Sequence, residues 1–450
     1  MEQLKAILSK RSEIKGWMIQ VENIHRLERY FLLDKNEIAT DQDREVKQQN
    51  IRIRIFVNKK DPARQGEAEK IISLTLPLEE QVDSAVRSAL ETDIQKWELP
   101  ARLDIKFPKL KTADPLMLEN LNRVMRDMTD QIYRISLKKR DVTFNSAELF
   151  LSNHGYETHL SNGLTHHSNR TKIYAEAVFS TLPGKNSDEY LEYQWASSLS
   201  EFSIDELFNK AAERARYTSL VVKKPESGSY FVLVDSAVLD LLMHDYLTQL
   251  SGGSKYLKLP FIEVGDELIK DAAGDLINLK LDPYLDYGAD TAAVSSDGLL
   301  QSPMDVVRDN RVLETLSGKQ YSDYLNKQPT TVRGNLVMPA GKYSRDQLIS
   351  MQPKVLEILK FSALFTDPYS GTFSSEIRLG RIFNREKGTV EYIKGGSLSG
   401  SIFANFKNVR FSDRLVMRSS FSPGMSANGE SVSGYFGPEF ALLSDVSVVG

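Results

Sequence analysis

Asn50-Ile51-Arg52-Ile53-Arg54-Ile55 alternates between isoleucine and a polar residue without a break. Successive side chains of a strand point to opposite faces, so this run offers one apolar and one cationic face, as in a half-covered antiparallel strand. Further along the chain lies something able to cover the apolar face. Asp114-Pro115 reads as a helix start, because a proline in the first turn has no N–H to lose. Leu118, Leu121, Met125, Met128, Ile132 and Ile135 follow at spacings of three and four, one stripe along a single expected helix. Alternation and stripe together predict a sheet with helices on one face, an α+β chain.

Working outward, Ile71–Leu76 reads as a strand and Pro77–Leu90 as a helix. Residues 142–152 and 171–180 are strand-like, with Asn153-His154-Gly155-Tyr156 suited to a tight turn between them. Ser203-Ile204-Asp205-Glu206 is a capping box that opens a helix to about Tyr217. The polar, breaker-rich run Lys223–Ser229 is the expected domain boundary, between an N-terminal α+β domain (1–224) and a β-rich C-terminal domain (225–450). Beyond it, Tyr230–Val234 is a strand and Asp235 caps a helix over 235–251. Leu239, Leu242, Met243, Tyr246 and Leu250 share one face of that helix. From about Val332 short strands dominate, interrupted by one expected helix from Ser344 to about Phe361.

The charges nearly cancel, with 57 Lys and Arg against 61 Asp and Glu for a net −4. No whole-molecule pull toward nucleic acid or an anionic membrane surface is expected. No run of about 18 apolar residues suggests a membrane span, and Met1–Lys10 lacks the apolar core of a signal peptide. Cysteine is absent, which removes disulfides, thiol catalysis and every zinc site that needs a thiolate, and suits a reducing cytoplasm.

The six histidines are the natural start for chemistry, and His154, His159, His166 and His167 crowd one short stretch with Glu157. On a hairpin His154 and His159 face opposite ways, and their Gly, Ser, Asn and Thr neighbours suggest exposed surface histidines rather than a metal site. Gly395-Gly396-Ser397-Leu398-Ser399-Gly400 looks like a nucleophile elbow but holds leucine where the serine must stand. There is no phosphate loop and no dinucleotide fingerprint. Taken alone, these residues mark no catalytic centre.

A wider pattern is more informative. Ser251-Gly252-Gly253-Ser254-Lys255-Tyr256-Leu257-Lys258-Leu259-Pro260-Phe261 resembles a run of the TldD/PmbA family, in its PmbA (TldE) branch. The resemblance continues through Gly334-Asn335-Leu336, Gly371-Thr372-Phe373-Ser374, Ser397–Ser401, Phe406–Val409 and Gly437-Pro438-Glu439-Phe440, and upstream at Ser152–Gly155. The family is described as modulators of DNA gyrase and as zinc peptidases.

In the family's catalytic branch, an H-E-x-x-x-H helix and a C-terminal cysteine hold zinc. Here the matching helix reads Leu241-Leu242-Met243-His244-Asp245-Tyr246-Leu247-Thr248-Gln249. Aligned on the leucines, the positions of His, Glu and His hold Met243, His244 and Thr248. Shifted by one, His244-Asp245 mimic the start and the last ligand falls on Gln249. Either register loses a ligand, and the cysteine is missing. The resemblance therefore implies a chain with no catalytic residue, metal ligand or cofactor of its own, and zinc only in a partner. That chain would be a non-catalytic subunit of a metallopeptidase complex, or else a metal-free homo-oligomeric scaffold or peptide-binding protein. The implied partners are a zinc-bearing TldD-type subunit or a second copy in a cytoplasmic dimer, with an unfolded or small peptide as substrate. Ser251, Gly252, Gly253 and Ser254 are possible peptide or partner contacts, glycine allowing close backbone approach, or else form a helix cap.

Overall fold

The computed structural model describes residues 1–101, 106–135, 138–139, 141–182, 188–259, 262–422 and 431–450. After helix α1 (Glu2–Lys10), the alternating run lies in a long hairpin of β1 (Ile14–Asp34) and β2 (Glu37–Asn58). The hairpin closes on Lys35 and Asn36, both at positive φ, as a two-residue turn between right-twisted strands demands. Ile51, Ile53 and Ile55 are buried opposite Val21, Ile19 and Trp17. Leu4 and Leu8 of α1 cover this face, with Val82, Ala85 and Ala89 of α2 (Leu78–Glu91). Arg54 points the other way, to Glu67 of β3 (Arg64–Ile72), 2.6 Å from its Nε. β3 begins and ends earlier than the expected Ile71–Leu76, since Ser73 and the residues after it turn into α2.

The stripe at 118–135 is two helices, not one. α3 (Pro115–Glu119) ends at Asn120, whose φ of −155° leaves the helical region, and α4 (Leu121–Tyr133) starts there. Asn120 accepts from the Arg123 amide (3.0 Å), so a residue able to cap opened a second helix inside the periodic run. Met117, Leu121, Met125, Met128 and Ile132 still pack on one core. That core lies against β4 (Val142–Leu160) and β5 (Thr165–Thr181) and under α5 (Ile204–Ser219). The expected turn at Asn153–Tyr156 is absent. These residues lie within β4, paired with β1 on one side and β5 on the other, and the turn falls at 161–164. Two flanking partners outweigh the turn preference of an Asn and a Gly.

β6 (Glu189–Ala196) follows β5, and β7 (Gly228–Asp235) leads into α6 (Ser236–Gln249) and α7 (Gly252–Tyr256). Beyond lie β8 (Leu279–Asp282), α8 (Lys319–Tyr324), β9 (Asn335–Val337), α9 (Arg345–Ser350), β10 (Lys354–Phe361), β11 (Thr372–Asn384) and β12 (Ser397–Ser401). β13 (Leu415–Ser422), β14 (Ser431–Pro438) and β15 (Phe440–Val449) end the chain. The larger sheet runs β8-β9-β14-β13-β6-β5-β4-β1-β2-β3, so strands from before and after residue 224 share it; Ser419 opposite Trp195 joins β13 to β6. A smaller sheet runs β10-β7-β15-β12-β11, and β11 pairs back with β10 to close it. Parallel pairs such as β9 with β14 and β7 with β10 are set among mostly antiparallel neighbours, and the chain is α+β. The helix expected over Ser344–Phe361 is only α9. Pro353 stops it, and Lys354–Phe361 is a strand, with Val355, Leu356 and Ile358 buried between β7 and β11.

Two glycines test this register. A Cβ on Gly66 would lie 1.9 Å from the Ala89 carbonyl oxygen, whereas one on Gly155 would meet nothing nearer than 3.5 Å. Gly66→Ala should destabilise the chain by about 2 kcal/mol or more by pushing α2 off the sheet, and Gly155→Ala should be close to neutral. Urea unfolding of both variants checks this; a large loss from Gly155→Ala would contradict a continuous β4.

Candidate functional site

Asp235 caps α6, its carboxylate accepting from the amides of Ala237 (3.0 Å) and Val238 (3.3 Å). The helix is buried on most sides, so its residues sort sharply. Met243 is fully buried in the C-terminal core, and the carboxamide-bearing Gln249 is buried too. His244 and Thr248, one turn apart, lie on the accessible side, where the Thr248 hydroxyl donates back to the His244 carbonyl (3.0 Å). The His244 Nδ1 lies 2.8 Å from the Asp240 carbonyl and 3.0 Å from its carboxylate. Burial alone would lower the imidazole pKa, but Asp240 and the charge of Asp290 hold it above the ordinary value. Asp245 faces inward, accepting from Thr366 Oγ1 (3.1 Å) while its other oxygen has no partner among the described residues. Burial raises its pKa to about 6, against the opposing Thr366 hydrogen bond.

The Ser251–Ser254 run turns the corner from α6 into α7. Ser251 Oγ accepts from the Ser254 amide (3.2 Å), and Ser254 Oγ donates to the Thr248 carbonyl (2.8 Å). Side chains on Gly252 and Gly253 would meet Ser317 at 2.5 Å and the Tyr321 ring at 3.2 Å, so both glycines let α8 pack closely. Pro260 and Phe261, which close the quoted run, lie outside the described residues.

Beside α6 opens a cleft of about 1320 Å³, floored by the face of the larger sheet that the helices leave bare. Segment 107–115 walls it on one side and segment 287–296 on the other. Glu22, Arg52, Tyr156, Lys172, Arg333 and Phe421 line it. The second wall hangs on Asn335, a fully buried amide. Its Nδ2 donates to the Asp282 carbonyl (3.0 Å) and Thr291 Oγ1 (2.9 Å), and its Oδ1 accepts from the Asp290 amide (3.0 Å). Gly434 is required where β14 passes, since a Cβ there would fall 1.9 Å from Asn335. Arg170 reaches from β5 to the carbonyls of Gly288 (3.2 Å) and Thr291 (2.6 Å). The cleft adjoins α6 through two links. Ser433, next to the lining residue Val432, donates to both Asp240 carboxylate oxygens (2.8 and 2.9 Å). Arg333 Nε donates to Asp290 (2.9 Å), the same carboxylate that acts on His244.

The histidines of the hairpin divide as strand parity requires. His159 is opposite Ile19, on the helix-covered face, together with His167. His154 and His166 are on the bare face. Contrary to the expected exposure, His154 and His159 are buried, because β4 is an inner strand and not a projecting turn. His154 Nδ1 is 2.9 Å from Glu22 and its Nε2 2.9 Å from Ser152 Oγ. Burial favours protonated Glu22, but His154, Asn50 and Lys172 outweigh it and hold the carboxylate at about 2. Burial and the neighbouring His167 lower the pKa of His166. Among the described residues no group of three or more His, Cys, Asp or Glu side chains is placed to hold a metal ion. Sequence reading singled out His244 and the hairpin histidines but missed Glu22, Tyr156, Arg170, Lys172, Asp290 and Arg333. Only the shared parity of the first four, all polar on alternating positions of β1, β4 and β5, carried any signal.

Comparison with known proteins agrees with this fold. Residues 227–434 match the model of the PmbA/TldA metallopeptidase C-terminal domain. Three solved structures are similar over 100% of this chain. One, provisionally named a modulator of DNA gyrase, is from Bacteroides thetaiotaomicron (15% identity, 98% of that chain, TM-score 0.76). A second with the same provisional name is from Thermotoga maritima (16%, 99%, 0.76), and the third is TldE from Thermococcus kodakarensis (14%, 100%, 0.75). At these identities the likeness establishes the fold. No curated protein sequence matches. The resemblance read from the sequence is thus borne out, by the family model over residues 227–434 and as a shared fold over the whole chain. No helix among the described residues is long and apolar enough to cross a membrane.

Asp245 supplies a pH signature for α6. A carboxyl whose folded pKa is raised binds its proton more tightly in the folded state. Its stabilising effect is therefore full below the unfolded pKa and is lost as pH rises from about 4 through about 6. Asp245→Asn should stabilise the chain by roughly 1–2 kcal/mol at pH 7 and by little at pH 4, as urea unfolding at the two values would reveal.

Proposed function

We propose that this chain, a relative of the TldD/PmbA family, is the non-catalytic, peptide-holding subunit of a metallopeptidase assembly. The observation that carries this reading is the mismatch on α6 beside a built cleft. In one register the ligand positions are Met243, whose thioether is sealed in the core, and Thr248, whose hydroxyl is turned back onto the helix. In the other they are His244 and the buried Gln249. A single imidazole, its Nδ1 already engaged by Asp240, with no cysteine in the chain, does not make the three-ligand open site that a catalytic zinc requires. The donor set does not fit the metal, so no hydrolytic step is assigned to this chain.

What the chain offers instead is binding surface. The cleft is large enough for several residues of an extended peptide, and its lining mixes fixed charges, amides and rings. Such a site selects unfolded chains, because a folded protein cannot present an extended segment inside it. The zinc would come from a TldD-type partner in a heteromeric dimer, and the absence of cysteine suits a cytoplasmic setting. A homo-oligomeric peptide-binding scaffold is the second reading.

Two measurements decide between them. Elemental analysis after extensive dialysis should find no stoichiometric zinc on the isolated chain. Peptidase activity on an unstructured peptide should be absent from this chain, weak from a zinc-bearing partner and full from the mixture. Full activity from the partner alone would support the scaffold reading, and zinc-independent activity from this chain alone would overturn both.

A further inference from the structure

Away from the cleft, the bare face of the larger sheet carries a row of aromatic rings. Tyr30 of β1 meets Phe150 of β4 edge-on with centroids 5.4 Å apart, and Phe150 lies 5.4 Å from Tyr174 of β5. Tyr174 in turn touches Trp195 (4.6 Å) and Tyr193 (6.2 Å) of β6. The strand register weaves carboxylates into this row. Glu148 stands directly opposite Glu176 and beside Tyr30, and Glu176 stands opposite Tyr193. Glu28 is opposite Phe150.

Like charges directly opposite each other on one sheet face repel, so Glu148 facing Glu176 is a cost to folding, only part of which the Tyr174 hydroxyl offsets by donating to Glu176. Among the described residues no basic side chain pairs with either. Burial, Glu176 and Glu28 all push the Glu148 carboxyl up. The chain's own cations show what the row accepts. Arg44 lies over Tyr30 at 5.3 Å, and the Lys360 ammonium lies over Tyr193 at 5.4 Å while donating to the Leu191 carbonyl (2.9 Å). Both ends of the row thus hold cations on ring faces. Between them lie two carboxylates with no basic partner among the described residues, Glu176 accepting only from the Tyr174 hydroxyl.

We infer that this patch of Tyr30, Glu148, Phe150, Tyr174, Glu176 and Tyr193 is a seat for a lysine or arginine side chain of an extended peptide. The inference rests on the peptide-holding role and specifies its preference. The aromatic rings receive the aliphatic stem and the face of the cation, and the paired carboxylates receive its N–H donors. Neutralising Glu148 and Glu176 together removes their repulsion, so the peptide cation binds with an energy the empty sheet has stored as unfavourable charge.

The test uses the full chain and two fluorophore-labelled, unstructured peptides that differ only in a central lysine or Nε-acetyl-lysine. Fluorescence anisotropy should show the lysine peptide binding about tenfold more tightly. The double variant Glu148→Gln, Glu176→Gln should abolish the difference while leaving affinity for the acetylated peptide unchanged, with a thermal midpoint no lower than the parent's. Equal binding of both peptides to the parent chain, or discrimination that survives the double substitution, would overturn the cation seat and leave the peptide-holding role intact. No binding of either peptide would overturn both.

Discussion

The register of β4 between β1 and β5 is the constraint on which everything else depends. Ile24 opposite His154 and Glu22 opposite Tyr156 follow from its pairing with β1, and Glu148 opposite Glu176 from its pairing with β5. Because strand side chains alternate, a slip by one residue would send Phe144, Leu149 and Leu151 out of the core and drive carboxylates beneath the helices. The apolar positions of α4 and α5 therefore hold the register in place, and the register distributes the polar groups across the bare face. Packing on one side of the sheet thus decides chemistry on the other.

Asn335 and Gly400, two of the residues that carry the family likeness, also serve packing. Asn335 anchors a cleft wall through three hydrogen bonds, and Gly434 makes room for it. Gly400 admits Asn405 and Phe373 where a Cβ would come within 2.4 Å of each. Asn405 ties the short segment after β12 to the Ser444 carbonyl (2.8 Å). Within the smaller sheet, Glu357 is a nearly dry carboxylate bonded to Arg345 (2.9 Å from Nε) and also to Arg381. Buried charges persist only when paired and hydrogen-bonded, so these contacts mark places where the fold tolerates little change. At Asn335 and Gly400 the family signature is thus a packing requirement, independent of which residues stand at the ligand positions of α6.

The electrostatics of α6 and the cleft have to be read together. Asp240 connects Ser433 to His244, and Asp290 connects Arg333 to the same imidazole through its field. Deeper in the cleft, Glu22, Asn50, His154 and Lys172 form a satisfied polar group beneath the floor. A groove whose charges are already held in place spends little on its own ordering when a ligand binds.

The sequence by itself determined the face pattern of the first strands, the capped starts at Asp114, Ser203, Asp235 and Ser344, and the loss of the ligand pair on α6. Each depends on local periodicity or on which residue type stands at a position, and neither needs the rest of the chain. Only the tertiary structure decided that Asn153–Tyr156 is mid-strand, that Asn120 splits a continuous stripe and that Lys354–Phe361 is extended. In each of these, partners distant in sequence outweighed a local preference. The cleft was invisible for the same reason: Glu22, Lys172 and Arg333 are separated by long stretches of chain, and only sheet pairing and the Asn335 anchor bring them to one cleft.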